Sequence, residues 1–146
     1  MDVNKFILLV FMELVVKQET LFKEPYSTIT HDSSLQLIII ISQGYQTFEQ
    51  IKHAFNHALQ AIKAKKATKI LVDNTEVKGT FTQATEWVAS SFIPEVIKAG
   101  VTLVASIPSQ DVFGKYAGTQ TLSKINGVSL QRFSHRQQAL EWLKAH

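Results

Sequence analysis

Asp73, Asn74 and Thr75 close the apolar run Ile70-Leu71-Val72, and Thr80 and Thr82 follow across a loop containing Gly79. Ser106 sits near the end of a second apolar run, Val101 to Ile107, with Ser109 and Asp111 just beyond it. His53 and His57 stand four residues apart. These groups could do chemistry. Carboxylates and hydroxyls serve acid–base or nucleophilic work. Hydroxyls at a helix start can accept phosphate, and an imidazole pair at this spacing can hold a metal.

Each group also has a plainer role. Asp73 and Asn74 end a strand, and strand ends in α/β proteins are where ligands and partners are met. The same side chains also make local turns by bonding nearby backbone amides. Thr80 and Thr82 are explained by N-capping alone. The two histidines lie opposite Phe55 on the helix, hence on a solvated face. His53 has no glutamate beside it in the metalloprotease pattern, and no third ligand is evident. Ser106, Ser109 and Asp111 lack a Gly-x-Ser-x-Gly elbow, so cap and turn roles suffice. The glycines form neither a phosphate loop nor a dinucleotide fingerprint. No catalytic residue, cofactor or metal is expected.

The elements that must position these groups follow from hydropathy. Tyr26 to Thr30 and Leu35 to Ile41 read as strands across the turn residues His31-Asp32-Ser33-Ser34, which favours an antiparallel hairpin. Phe48, Ile51, Phe55, Leu59 and Ile62 form one face of a helix, with Thr47 and Gln50 as a capping box. Thr68 to Val72 is a third strand. A second helix runs from about Thr80 to Ala99, kinked or split at Pro94 and stopped by Gly100. Val101 to Ile107 is a fourth strand, and a helix runs from Ser109 through Lys124. Asn126-Gly127 is a turn before a fifth strand, Val128 to Phe133. Ser134 and Gln137 repeat the capping box for a last helix. Phe55, Leu59, Leu71, Leu103 and Leu140 are expected in the core, and Trp87 and Trp142 as packing anchors.

The expected fold is a single α/β domain over 20–146, preceded by an apolar arm over 1–19. Its order is β-β-α-β-α-β-α-β-α, with a mixed, mostly parallel sheet of about five strands and helices mainly on one face. Right-handed crossovers put helices between neighbouring parallel strands on the same side. The arm is then free to cover the other face. Ten of the eleven residues from Phe6 to Val16 are apolar. As a helix they span about 16 Å, about half a bilayer core, so no transmembrane segment is expected. The arm should bury its side chains on its own domain or on a second copy, the latter making a homodimer.

The chain has 146 residues, 45% hydrophobic and 18% charged, enough for its own core. Its net charge of +3 is scattered. The one basic cluster, Lys63-Ala64-Lys65-Lys66, falls at a helix C-terminus, where cations complement the dipole. Nucleic acid is therefore not an expected partner. No cysteine is present, which excludes disulfides and thiol chemistry and suits the cytoplasm.

Several stretches together resemble a family: Leu21-Phe22-Lys23-Glu24-Pro25-Tyr26, Asp73-Asn74-Thr75-Glu76-Val77, Glu86-Trp87, Pro94 with Ala99-Gly100-Val101, Asp111-Val112-Phe113, and Ala139-Leu140-Glu141-Trp142-Leu143. In order and spacing the chain from about residue 20 resembles STAS domains, the fold of anti-sigma-factor antagonists. More closely it resembles stand-alone bacterial STAS-like proteins of uncertain function, sometimes grouped with Sec14-type lipid-binding folds. Antagonists carry a phosphorylated serine in an Asp-Ser-Ser-Gly-like segment. Here the loop reads Lys78-Gly79-Thr80-Phe81-Thr82. The resemblance thus implies a non-enzymatic regulatory or protein-interaction domain, with Thr80 and Thr82 as the candidate phosphosites. Its partner surface would comprise Asp73, Asn74, Thr75, Thr80, Thr82, Ser106, Ser109 and Asp111. The alternative is a module that binds a small apolar ligand or lipid in a cleft near the second helix. A hydrolase is the third reading.

Overall fold

A computed structural model describes residues 2–79, 82–109, 123–125 and 127–146, with backbone alone for 11–17, 82 and 123–125. The described elements are α1 (Val3–Lys17), β1 (Gln18–Glu24), β2 (Ser27–Asp32), β3 (Leu37–Gly44), α2 (Phe48–Lys65), β4 (Lys69–Val77), α3 (Thr82–Trp87), a π-helical turn (Val88–Phe92), α4 (Ile93–Lys98), β5 (Leu103–Ile107), β6 (Ser123–Ile125), β7 (Val128–Arg132) and α5 (Arg136–Ala145). The sheet order is β1-β2-β3-β4-β5-β7-β6. β3, β4, β5 and β7 run parallel, and antiparallel strands close both edges. The expected mixed, mostly parallel α/β sheet is therefore present.

Alternation builds the two layers. Ile38 and Ile40 of β3 join Ile29, Ile70, Val104 and Val128 beneath α2 and the α3–α4 segment. Leu37 and Ile39 join Leu71, Leu103, Ala105 and Ile107 beneath Ala139 and Leu143 of α5. Successive strand side chains point to opposite faces, so one run of isoleucines feeds both cores. Helices lie mainly on one face, as expected, but α5 takes the other over β4 and β5. The crossover rule does not bind it, because α5 follows the last strand and connects no parallel pair. Phe55, Leu71 and Leu103 are buried as expected, whereas Leu59 and Leu140 pack on the cores half-buried.

The helix signals are met at several ends. Thr47 and Gln50 form the capping box of α2. α4 stops at Gly100 (φ 105°), where Gly100 N–H bonds Ile97 O and Val101 N–H bonds Val96 O. That pair of bonds is a Schellman motif, and the left-handed φ suits glycine. The second helix is split just before Pro94. Ile93 N–H reaches back to Val88 O, and Pro94 enters the first turn of α4, where its missing donor costs little.

Other expectations are corrected. β1 and β6 are strands the periodicity did not mark. The sequence placed β1 partly in the arm, and β6 has only three residues. The helix expected from Ser109 through Lys124 lies mostly outside the described residues, but Ser123–Ile125 is strand. α5 is capped at His135 with no side-chain bond, so the Ser134–Gln137 capping box does not form. Gln137 instead bonds Glu141 at 3.1 Å. α1 does not fold back onto the sheet at its described positions. Phe6 to Val10 all stay exposed.

Candidate functional site

The Asp73 segment was expected to end its strand. β4 instead continues to Val77 through a bulge. Ile41 pairs with Asp73, and the next pair is Gln43 with Glu76. Three β4 residues thus span what two β3 residues span, and the extra one is absorbed locally. Asp73 makes the bulge. Its Oδ1 accepts the Thr75 N–H at 3.0 Å and the Thr75 hydroxyl at 2.5 Å. Local turn chemistry, the plainer of the two readings, is what this oxygen does. Its Oδ2 accepts from Arg136 Nη2 at 2.8 Å and Nε at 3.0 Å. The carboxylate is buried, so four charge-assisted or polar bonds offset its desolvation.

Arg136 carries much of this arrangement, and sequence reasoning passed over it. It occupies the first helical position of α5, where a cation opposes the dipole, so the position needs a nearby acid. That mismatch was the available signal. The other end of α5 is held from the same strand. Lys69 Nζ bonds Leu143 O at 2.6 Å, satisfying a carbonyl of the last turn. Lys69 and Asp73 share one face of β4, so the strand pins both ends of the helix that covers it.

The remaining sequence candidates separate. Asn74 and Thr75 are half-buried beside Asp73. Ser106 pairs with Val72, while Asp73 pairs with Ile107. Paired residues share a face, so Ser106 points to the α2 layer and Asp73 to the α5 layer. The two lie on adjacent strands, as expected, with their side chains on opposite faces of the sheet. Ser109 is 2% exposed, which takes it out of a surface. Thr80, the side chain of Thr82, and Asp111 lie outside the described residues.

The space beneath the second helix holds aromatic side chains. Phe55 and Phe92 meet edge to face at 4.8 Å, with Trp87 6.4 Å from Phe55 and 6.5 Å from Phe92. Trp87 is thus a packing anchor, as expected, and Trp142 packs against Phe133 at 5.6 Å. An open depression of about 560 Å³ lies elsewhere, lined by Tyr26, Glu49, Gln50, Lys52, His53 and Asn56. Burial, then the nearby Glu24, raises the Tyr26 phenol above its ordinary range. Among the described residues no group of three metal-ligating side chains forms.

Two surface features had no sequence forecast. Tyr45, between β3 and α2, is 78% exposed. Phe22 of β1 packs against both His57 and His53, with centroids at 4.6 and 5.6 Å. A third feature bears on the arm, which does not find its cover within the chain at its described side chains. Val3 and Phe6 to Val10 remain between 41% and 69% exposed on α1. No described helix is long and apolar enough to cross a membrane.

No family model and no curated protein matches the sequence. Among solved structures, the chain is similar to an uncharacterised protein of the DUF3478 family from Shewanella loihica PV-4, which has a SpoIIAA-like fold. The two share 18% identity over 86% of this chain and 93% of that one, with a TM-score of 0.44.

Proposed function

We propose that this chain is a non-enzymatic interaction domain whose docking element is α1 and whose partner there is a second copy. One observation carries the reading. Six large apolar side chains of a single helix, Val3 and Phe6 to Val10, stand exposed in the isolated chain. A helix apolar on all sides requires cover, and contiguous exposed apolar surface marks an interaction site. The charge pattern favours a self-match. Lys5 and Glu13 lie equally far on either side of Leu9. A two-fold antiparallel pair centred on Leu9 sets each lysine position across from a glutamate position, as an isologous interface requires.

The non-enzymatic part is supported by the state of Asp73. The carboxylate the sequence singled out is taken up by Arg136 and Thr75, and Ser106 on the adjacent strand faces the opposite layer. A regulatory role at the strand ends remains part of the proposal, with Tyr45, Asn74 and Thr75 as the described surface there. Aromatic residues are over-represented among energetic anchors of interfaces, which singles out Tyr45.

Sedimentation of the full chain beside Leu9→Glu tests the reading. A dimer that becomes monomeric in Leu9→Glu supports it. A monomeric, soluble wild type whose mass is unchanged by the substitution overturns it.

A further inference from the structure

We infer that His53 and His57 form a two-histidine site for a borderline divalent transition metal such as Zn²⁺ or Ni²⁺, held on the surface of α2 and organised by Phe22. The inference is independent of the docking reading. Side chains four apart on a helix stand one above the other on the same face. Here the two imidazole centroids are 4.7 Å apart. Histidines at this spacing bind one metal through one ring nitrogen each.

The sequence assigned the pair a merely solvated face. The structure adds a ring from β1, a strand the periodicity did not mark. Phe22 lies 4.6 Å from His57 with planes tilted by 36°, and 5.6 Å from His53 edge to face. A ligand whose side chain is already restrained by packing loses less freedom on binding, and this is how neighbouring groups prepare a metal site. Both histidines are nevertheless exposed, so a metal can reach them from solvent.

His53 lines a depression shared with Glu49, Asn56 and Lys52, and Lys52 Nζ lies 3.9 Å from Glu49 Oε1, so the protein's share of the site is the two imidazoles. Among the described residues no third protein ligand completes the set. Water or a carboxylate from another molecule would fill the remaining positions. Imidazole suits zinc and nickel, whereas magnesium and calcium require oxygen ligands.

Titration of the full chain with zinc chloride or nickel chloride, followed by calorimetry, tests the site. The expected result is one metal per chain, with affinity reduced about tenfold or more in both His53→Ala and His57→Ala, since losing even an outer-shell partner of a metal typically costs that much. His135→Ala, an exposed histidine elsewhere, should leave affinity unchanged. Because both substituted positions are solvent-facing, circular dichroism should show the variants folded. Metal should raise the unfolding temperature of the wild type and not of His57→Ala. Equal affinity in wild type and either histidine variant overturns the inference, as does the absence of any measurable binding.

Discussion

Arg136 and Asp73 are 63 positions apart in the chain, yet the Arg136 guanidinium places two nitrogens on one carboxylate oxygen of Asp73, at 2.8 and 3.0 Å. The arginine side chain is 45% exposed and the aspartate 9%. The pair is therefore half-solvated, and its worth lies between that of a surface pair and a buried one. It joins the bulge of β4 to the start of α5.

Arg136→Met should lower stability by about 1–2 kcal/mol, since a charged hydrogen-bond partner is lost from a buried carboxylate. Asp73→Asn keeps the Thr75 contacts and loses the ion pair. Urea denaturation of both single variants and the double variant should give a coupling energy of about 0.5–3 kcal/mol. Additive losses would mean that the two side chains do not act as a pair.

Leu71 is fully buried between β3, β5 and α5. Leu71→Ala should cost about 2–5 kcal/mol, read from the shift in denaturation midpoint at constant m. A cost below about 0.5 kcal/mol, typical of surface positions, would be incompatible with this packing.

His31 sits buried in β2, and its Nε2 has no hydrogen-bond partner among the described residues. Burial first, and then Lys65, lowers its pKa below the ordinary 6.5, while Glu19 and Asp32 act in the opposite sense. As pH falls through 6.5, the unfolded chain takes up this proton before the folded one does. The stabilising contribution is complete above the unfolded value and is lost as pH drops toward the lowered folded value. Denaturation midpoints measured across that interval should decline more steeply for wild type than for His31→Leu. Parallel curves would remove His31 from the acid response.

Gly100 ends α4 at φ 105° with open space where a Cβ would be. Gly100→Ala should therefore destabilise through backbone strain, by about 1 kcal/mol or more, although no atom is struck. Thermal unfolding checks it. An unchanged melting temperature would show that the C-cap geometry relaxes freely.

The sequence by itself determined the local elements. The stripe Ile51–Phe55–Ile62 set the buried face of α2, Thr47 with Gln50 set its start, and Gly100 set the stop of α4, because each rests on contacts within a few residues. The apolar runs of β3, β4, β5 and β7 marked the central sheet for the same reason, and together they gave the mixed α/β class. Tertiary structure alone decided the rest. β6 is too short to show a period, and β1 alternates poorly because most of its edge-strand side chains face solvent. Asp73 reads as the end of a strand until Arg136 and Thr75 close the bulge around it. His53 and His57 stay on the exposed face their spacing assigns them, and only the tertiary structure sets Phe22 of β1 beside them. The layer α5 takes is not set by its own pattern; Ala139 and Leu143 pack there, and Lys69 and Asp73 hold its two ends. Long-range pairs such as these leave no local periodicity, since nothing in the spacing of residue 73 specifies what stands at residue 136.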